Sequence, residues 1–325
     1  MTAGTPITLI LALVLFATPA WAQTWGEPYD GAPDVYATPD VSPETVELVQ
    51  DWTDVAARAW GRWGPLEIYV IGTDEAAARA LEDDFCKRHK ALDDNWDLRH
   101  DCANENYKIF RHMVTEGGAS VSTYRKTHLT YDFFTLKMGS LRPYPDEEDY
   151  KQTVLHEYWH VYQSSKVSDR RSDDRRVKKI RNEKLTGDVE KRPWLHEGSA
   201  TFMALLLYSD EVGSKTDMRR QMLRYGKRSF SNYLKSSMAL DSFTYEGEGR
   251  RLAYDIGAWF TAYLVHHEGV EALKDGFYGD LDALGFKASF EKNFGKSPKA
   301  YIAEFNDFLR QNRQNQAALT ALFMG

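Results

Sequence analysis

The stretch His156-Glu157-Tyr158-Trp159-His160 places two imidazoles and a carboxylate on one predicted helix. Apolar side chains at positions 154, 155, 158, 159, 161 and 162 predict that this helix covers residues 151–165. On it, His156 and His160 lie on the same face about one turn apart, and two neutral imidazoles so placed can bind one zinc ion. Glu157 is turned by roughly 100° from His156, so its carboxylate can border the metal as a general base without being a ligand.

A second stretch, Trp194-Leu195-His196-Glu197-Gly198-Ser199-Ala200, supplies a candidate third ligand. It runs into an apolar helix predicted to reach Tyr208. A catalytic zinc site with two histidines takes a carboxylate from a second helix and leaves a fourth position open. Glu197 fits this role because an unpaired carboxylate in a buried helix is costly. Two alternatives stay open: Glu197 caps the helix, or His196 is the ligand, since adjacent side chains diverge and only one can readily face the metal.

These two stretches resemble the paired motifs of the gluzincin metallopeptidases, the clan of thermolysin and the aminopeptidase N-like enzymes. The family combines H-E-x-x-H with a downstream W-L-x-E-G-x-A, and this chain contains HEYWH and WLHEGSA. The resemblance implies that His156, His160 and Glu197 are zinc ligands and that Glu157 activates water. A third segment, LAYDIGA at 252–258, looks like the family's Y-x-x-G segment, which makes Tyr254 the expected donor to the oxyanion of the transition state.

The resemblance extends over about residues 100 to 310 and has two departures. A basic segment, which begins at Lys166 and ends at Arg192, lengthens the gap between the two zinc motifs. The G-x-M-E-N segment with which aminopeptidases bind a free amine is missing, and Gly117-Gly118-Ala119-Ser120 stands in that region without a carboxylate. Aminopeptidase activity is therefore not expected.

Bulk composition and the N-terminus predict an exported protein with one catalytic unit. With 325 residues, 42% of them hydrophobic, the chain can bury a large core, and we expect residues 23–325 to form a single gluzincin-like unit. Residues 1–22 read as a signal peptide that ends in Ala20-Trp21-Ala22, which predicts a secreted or periplasmic protein beginning at Gln23. The apolar run lacks a preceding Lys or Arg, so an uncleaved anchor is the alternative.

The net charge and the two cysteines indicate which partners and which compartment to expect. The net charge of −7 argues against a general nucleic-acid binder. Cys86 and Cys102 predict a disulfide that closes a small loop, with zinc ligation the weaker option because no C-x-x-C pair exists. The basic segment, residues 166–192, holds eleven Lys or Arg and six Asp or Glu, a local net charge of +5. It is either a solvated, partly helical surface insertion or a docking patch for an anionic envelope surface or an acidic substrate.

The predicted fold is α+β: a small twisted β-sheet packed on the HExxH helix, followed by a mainly α-helical lobe, as in the gluzincin-type zincins. An edge strand of that sheet could bind an extended substrate through its backbone. The other expected elements are an extended strap over 23–41, a helix over 42–60, a strand over 66–71, a helix from 73 to about 86, strands over 107–114, 119–124 and 128–136, an acidic helix start at 146–149, and a helix over 258–267.

The sequence thus predicts an exported, zinc-dependent peptidase whose substrate is a peptide or protein. Glu157 would accept the proton of a zinc-activated water, and Tyr254 would stabilise the oxyanion. Thr201 and Asp255 are the candidate hydrogen-bond partners of the ligand imidazoles. Two rival functions remain, a non-catalytic zinc-containing envelope binding protein and a zinc hydrolase of a non-peptide amide or ester.

Overall fold

The computed structural model describes residues 25–102, 108–140, 147–172, 174–236 and 238–324. In this part the chain has an α+β fold, 64% helical, with one small mixed sheet. The strands are β1 Asp34–Ala37, β2 Leu66–Ile71, β3 Ala119–Tyr124 and β4 Phe133–Gly139. The helices are α1 Pro43–Trp60, α2 Glu75–Leu92, α3 Arg111–Glu116, α4 Glu147–Ser165, α5 Arg175–Thr186, α6 Trp194–Glu211, α7 Thr216–Lys235, α8 Gly247–Glu268, α9 Gly279–Leu284, α10 Phe286–Phe294, α11 Pro298–Asn312 and α12 Gln316–Met324, with a 3-10 turn at Leu240–Ser242 and a π-helix at Ala272–Tyr278.

The sheet has the strand order β1-β2-β4-β3. Strands β1, β2 and β4 are parallel, and β3 is the antiparallel edge strand. Side chains of β2 alternate between two cores: Ile68 and Val70 join the core that includes α1 and α4, whereas Tyr69 and Ile71 pack with Phe85 of α2. Because helices cover both faces, β2 is buried along its whole length.

Two predicted helix starts and the predicted disulfide are present in the structure. The Ser42 side chain accepts a hydrogen bond from the Thr45 N–H at 3.3 Å and starts α1. The Asp74 carboxylate accepts hydrogen bonds from the first N–H groups of α2. Cys86 of α2 forms a disulfide with Cys102. Each of these features depends on residues close together in the sequence, which is why a local pattern predicted them.

The predicted strand over 107–114 is wrong. Residues 103–107 lie outside the described part, and Arg111–Glu116 form helix α3. The cause is Glu82 of α2, whose carboxylate accepts hydrogen bonds from the backbone N–H groups of residues 108, 109 and 110 at 3.2, 3.0 and 3.0 Å. The Glu82 carboxylate satisfies backbone donors that a neighbouring strand would otherwise bind. The local sequence around residues 108–110 gives no sign of this contact.

Two other strand predictions need correction. Strand β4 begins at Phe133 and not at His128, because the Asp93 carboxylate accepts a hydrogen bond from the Thr130 N–H at 2.6 Å and holds the preceding residues in a loop. The strap predicted over 23–41 contains a strand, β1, which pairs with β2 in parallel. Parallel pairing needs a partner from beyond a crossover helix, so the strap's own composition could not predict it.

Helices α4, α6 and α8 pack in sequence behind the sheet, with α4 against β3 and β4. Helices α6 and α8 approach closely where Gly198 faces Gly257. A Cβ atom on Gly257 would lie 2.1 Å from the Trp194 carbonyl oxygen, so the two backbones touch here. Helix α8 begins at Gly247, eleven residues before the predicted start at residue 258, and Tyr254 lies within it. None of the helices in the described ranges is both long and apolar enough to cross a membrane.

The predicted acidic helix start at 146–149 is only partly described. Helix α4 begins at Glu147, whereas residue 146 and the prolines at 143 and 145 lie outside the described residues. Helix α4 therefore starts within the predicted acidic first turn, four residues before residue 151, where the predicted apolar helix begins.

Candidate metal centre

Three side chains from two helices converge on one point. His156 and His160 come from α4, and Glu197 comes from the first turn of α6. The two Nε2 atoms are 3.1 Å apart, and Glu197 Oε2 lies 3.1 Å from Nε2 of His160 and 3.3 Å from Nε2 of His156. Ligand atoms of a tetrahedral zinc site with bonds of about 2.0 Å are about 3.3 Å apart. The structure thus brings together the three predicted ligands in a group that could hold a metal ion.

Gln163 determines which nitrogen of His160 carries the proton. The Gln163 amide donates a hydrogen bond to the His196 carbonyl oxygen at 2.9 Å, so its own oxygen faces Nδ1 of His160 at 2.7 Å. Nδ1 of His160 is therefore protonated, and Nε2 is the nitrogen that faces the centre. Burial lowers the pKa of His160, but the charge and the hydrogen bond of Glu197 outweigh burial and raise it. His156 is oriented more loosely, with Nδ1 3.5 Å from the Thr201 hydroxyl oxygen.

When the imidazole rings are neutral, the centre consists of three acceptors that face one another. Burial alone would raise the pKa of the Glu197 carboxyl, but the imidazoles of His160 and His156 outweigh burial and hold it well below the usual range. A proton on one imidazole satisfies only one of the three contacts, whereas a divalent cation satisfies all three. Two imidazole nitrogens and one carboxylate oxygen are also a donor set that catalytic zinc uses, so the residues fit a zinc ion.

His196 is adjacent to Glu197, and Asp255 is adjacent to Tyr254. Neither side chain is directed at the three ligand atoms, because neighbours on a helix diverge by about 100°. His196 does not join the ligand group; its ring stacks on the His160 ring with centroids 4.5 Å apart. Burial and the nearby charge of His160 lower the pKa of His196 well below its usual value. Asp255, a predicted partner of a ligand imidazole, instead pairs with Arg228 and accepts a hydrogen bond from Ser229, so that prediction is wrong.

Glu157 borders the centre from the same helix and lines the cavity beside it. Its carboxylate accepts no hydrogen bond from the residues that the structure describes, and burial raises its pKa even though the imidazoles of His156 and His160 oppose the shift. Lys137 of β4 also acts on Glu157 by its charge; burial lowers the pKa of this lysine to about 8, and its ammonium donates a hydrogen bond to the Ser122 hydroxyl at 2.9 Å. A carboxylate with a raised pKa and few partners is suited to accept a proton.

Two tyrosines complete the centre. The Tyr254 ring lies parallel to the His156 ring, with centroids 6.0 Å apart, and lines the cavity. The Tyr245 hydroxyl donates a hydrogen bond to Glu197 Oε1 at 2.8 Å. Burial and the negative charge of Glu197 raise the pKa of both phenols, so both keep their protons and remain hydrogen-bond donors at neutral pH.

The structure brings His156, His160 and Glu197 together, and Glu157 and Tyr254 line the adjoining cavity. Comparison with the profiles of known protein families, with curated proteins and with solved structures finds no match. The resemblance therefore rests on the motif residues alone.

Sequence reasoning missed three residues of the centre: Gln163, Tyr245 and Lys137. Gln163 follows His160 by three residues on the same helix, and this spacing could have identified it as a partner. Tyr245 precedes α8 in a segment without periodicity, and Lys137 occupies a strand position where a buried hydrophobic residue is expected. No local signal marks either of these two.

The centre opens into a cavity of about 590 Å³. One part of its lining comes from β3, the edge strand, with residues 119, 120, 121 and 123. Another part comes from the basic segment, including residues of α5. The segment is partly helical and largely solvent-exposed, as predicted, and some of its residues also form part of the wall of this cavity.

Proposed function

We propose that this protein is an exported zinc-dependent hydrolase of the gluzincin type that cleaves peptide bonds. The observation that carries the proposal is the triangle of His156 Nε2, His160 Nε2 and Glu197 Oε2, with sides of 3.1 to 3.3 Å. The three atoms would hold the zinc ion. When bound, zinc supplies Lewis acidity: it lowers the pKa of water towards about 7 and polarises a carbonyl group. Export is supported by the predicted signal peptide and by the disulfide.

The protein's own residues would handle the protons and the developing charge. Glu157 would accept a proton from the attacking water and pass it to the leaving amine, because its raised pKa suits a group that takes up and releases a proton near neutral pH. Tyr254 would donate a hydrogen bond to the oxyanion, since its phenol stays protonated.

Strand β3 offers a place for an extended peptide. It pairs with β4 on one side, and no strand of the described chain pairs with its other edge. Residues of β3 line the same cavity as Glu157 and Tyr254. A substrate that adds a strand to this edge would be held by backbone hydrogen bonds, which supports a peptide as the substrate over a small amide or ester.

A matched pair of mature proteins, wild type and Glu157→Gln, tests the proposal. Both are measured for zinc content by mass spectrometry and for cleavage of a broad peptide pool. We expect one zinc per chain in both proteins and a loss of about 10² to 10⁴ in turnover for the variant. One zinc in both proteins with no cleavage by either would contradict the peptidase and favour the non-catalytic binding protein, and absence of zinc from both would contradict the metal centre.

A further inference from the structure

Two sets of contacts hold the described part of the basic segment, residues 166–172 and 174–192. At its start, the Arg171 backbone pairs with the chain that follows β3: its N–H donates to the Arg125 carbonyl at 2.6 Å, and its carbonyl accepts from the Thr127 N–H at 3.0 Å. Farther along, the Lys184 ammonium forms ion pairs with Asp169 at 2.9 Å and Asp282 at 2.5 Å. Between these anchors, the side chains of Val177, Lys178 and Arg181 line the cavity.

Positive charge dominates the cavity. Among the described residues that line it, six are lysine or arginine and two are carboxylates. The two carboxylates are Glu157 and Glu197, which belong to the metal centre. The rest of the wall therefore carries no negative charge of its own, although the whole chain has a net charge of −7.

Only some of these cations are neutralised by neighbouring carboxylates. Lys126 pairs with Asp101, and Arg170 pairs with Asp132 at 3.3 Å. These two ion pairs leave little charge on Lys126 and Arg170 for a ligand.

Arg171, Arg181 and Lys191 have no ion pair with any residue that the structure describes. Arg181 is partly buried, and its Nε–H has no acceptor within the described chain. Burial and the nearby charge of Arg171 lower the pKa of Arg181 to about 10. Lys191 keeps solvent access, yet the surrounding protein removes enough water to lower its pKa; Glu197 opposes this shift, and Arg171 and Arg181 add to it. The like charges of Arg171, Arg181 and Lys191 act against one another.

We propose that Arg171, Arg181 and Lys191 bind carboxylate groups of the substrate, so that the enzyme selects peptides with acidic side chains near the bond that is cleaved. The inference rests on the proposed function, since it places the acidic group in the cavity that leads to the metal centre. Three like charges that form no ion pair with any described residue favour an anion between them, and arginine donates to a carboxylate with paired N–H groups. A flat anionic membrane surface does not fit, because these cations line a cavity that β3 and the metal centre share.

Binding to a catalytically silenced protein tests the inference separately from turnover. The Glu157→Gln protein is titrated with fluorescent peptides that contain Asp and Glu, and with matched peptides that contain Asn and Gln. We expect the acidic peptides to bind about tenfold more tightly or better, with an advantage that shrinks as salt rises. Adding Arg171→Gln and Arg181→Gln should remove this advantage, whereas Arg176→Gln, on the exposed side of α5 and outside the cavity lining, should preserve it.

The outcomes separate the two proposals. Equal binding of the acidic and amide peptides, or an advantage that survives the double arginine variant with an unchanged melting temperature, would overturn the inference while leaving the peptidase untouched. Acidic preference in binding without cleavage by the wild type would support the inference about charge and overturn the peptidase. Peptides with free and amidated C-termini distinguish internal acidic side chains from a terminal carboxylate: a preference that disappears on amidation alone would contradict the role of side chains.

Discussion

The metal centre and the basic segment of residues 166–192 line the same cavity but owe their positions to different causes. In the centre, helical spacing on α4 places His156 and His160 on one face whatever else the chain does. In the basic segment, no periodicity specifies which charges face the cavity, and contacts with Asp282 and with the chain after β3 fix it instead. Regular helical spacing can therefore identify from sequence which residues share a site, whereas charge composition identifies only a segment and not which of its charges face the cavity.

The largest expected effect after that of Glu157→Gln concerns Tyr254, the most distant residue that the motifs predicted. Tyr254→Phe removes the proposed donor to the oxyanion, so turnover should fall by about 10² to 10³, or about 2.7 to 4 kcal/mol, with zinc content unchanged. Steady-state kinetics on a cleaved peptide measure this. Tyr263→Phe, on the same helix but outside the cavity lining, is the control; equal losses in both variants would show that Tyr254 acts only through the fold.

A smaller effect is expected at Tyr245, which no motif marks. Tyr245→Phe removes the 2.8 Å hydrogen bond to Glu197, and zinc affinity should fall about 10- to 100-fold, as for other partners of metal ligands. Competition with a chelator of known affinity measures the change. Tyr233→Phe, which loses a hydrogen bond to Asn306 far from the centre, should bind zinc like the wild type. Unchanged zinc affinity in Tyr245→Phe would show that Tyr245 does not support metal binding.

The close approach of α6 and α8 provides a third test. Gly257→Ala places a methyl group against the Trp194 carbonyl oxygen, so the helices must separate, and the free energy of unfolding should fall by about 1 to 3 kcal/mol. Because these helices carry Glu197 and Tyr254, zinc affinity should fall as well. Denaturant unfolding with and without zinc measures both. Gly279→Ala, a helical position with open space, should leave stability equal or slightly higher.

The smallest effect on stability is expected in the basic segment. Lys184→Met removes the ion pairs to Asp169 and Asp282, which are partly solvent-exposed and contribute about 0 to 1 kcal/mol each. Trypsin should cleave the segment several-fold faster through local opening, while the melting temperature changes little. Lys179→Met, which removes an exposed lysine of α5, is the control. Equal cleavage rates in both variants would show that other contacts anchor the segment.

Prediction from sequence succeeded where neighbours in the chain determine the structure. Ser42 and Asp74 start their helices, Cys86 lies close enough to Cys102 for a disulfide, and Glu197 diverges from His196 because adjacent side chains on a helix must. It failed where a distant group decides. The Glu82 carboxylate turned a predicted strand into α3, and Asp255 faces Arg228 and not a ligand imidazole.

The sequence by itself determined which side chains the centre offers, because residue types and helical spacing fix two imidazoles on one face of α4 and name Glu197 and Glu157 as candidate ligand and candidate base. Only the tertiary structure decided that Tyr245 donates a hydrogen bond to Glu197, that Gln163 sets the proton on His160, and that Arg171 and Arg181 line the same cavity. The physical reason is the distance along the chain over which each interaction acts. Helix geometry acts over a few residues and can be read along the chain, whereas hydrogen bonds and charge contacts between distant segments exist only after the chain has packed.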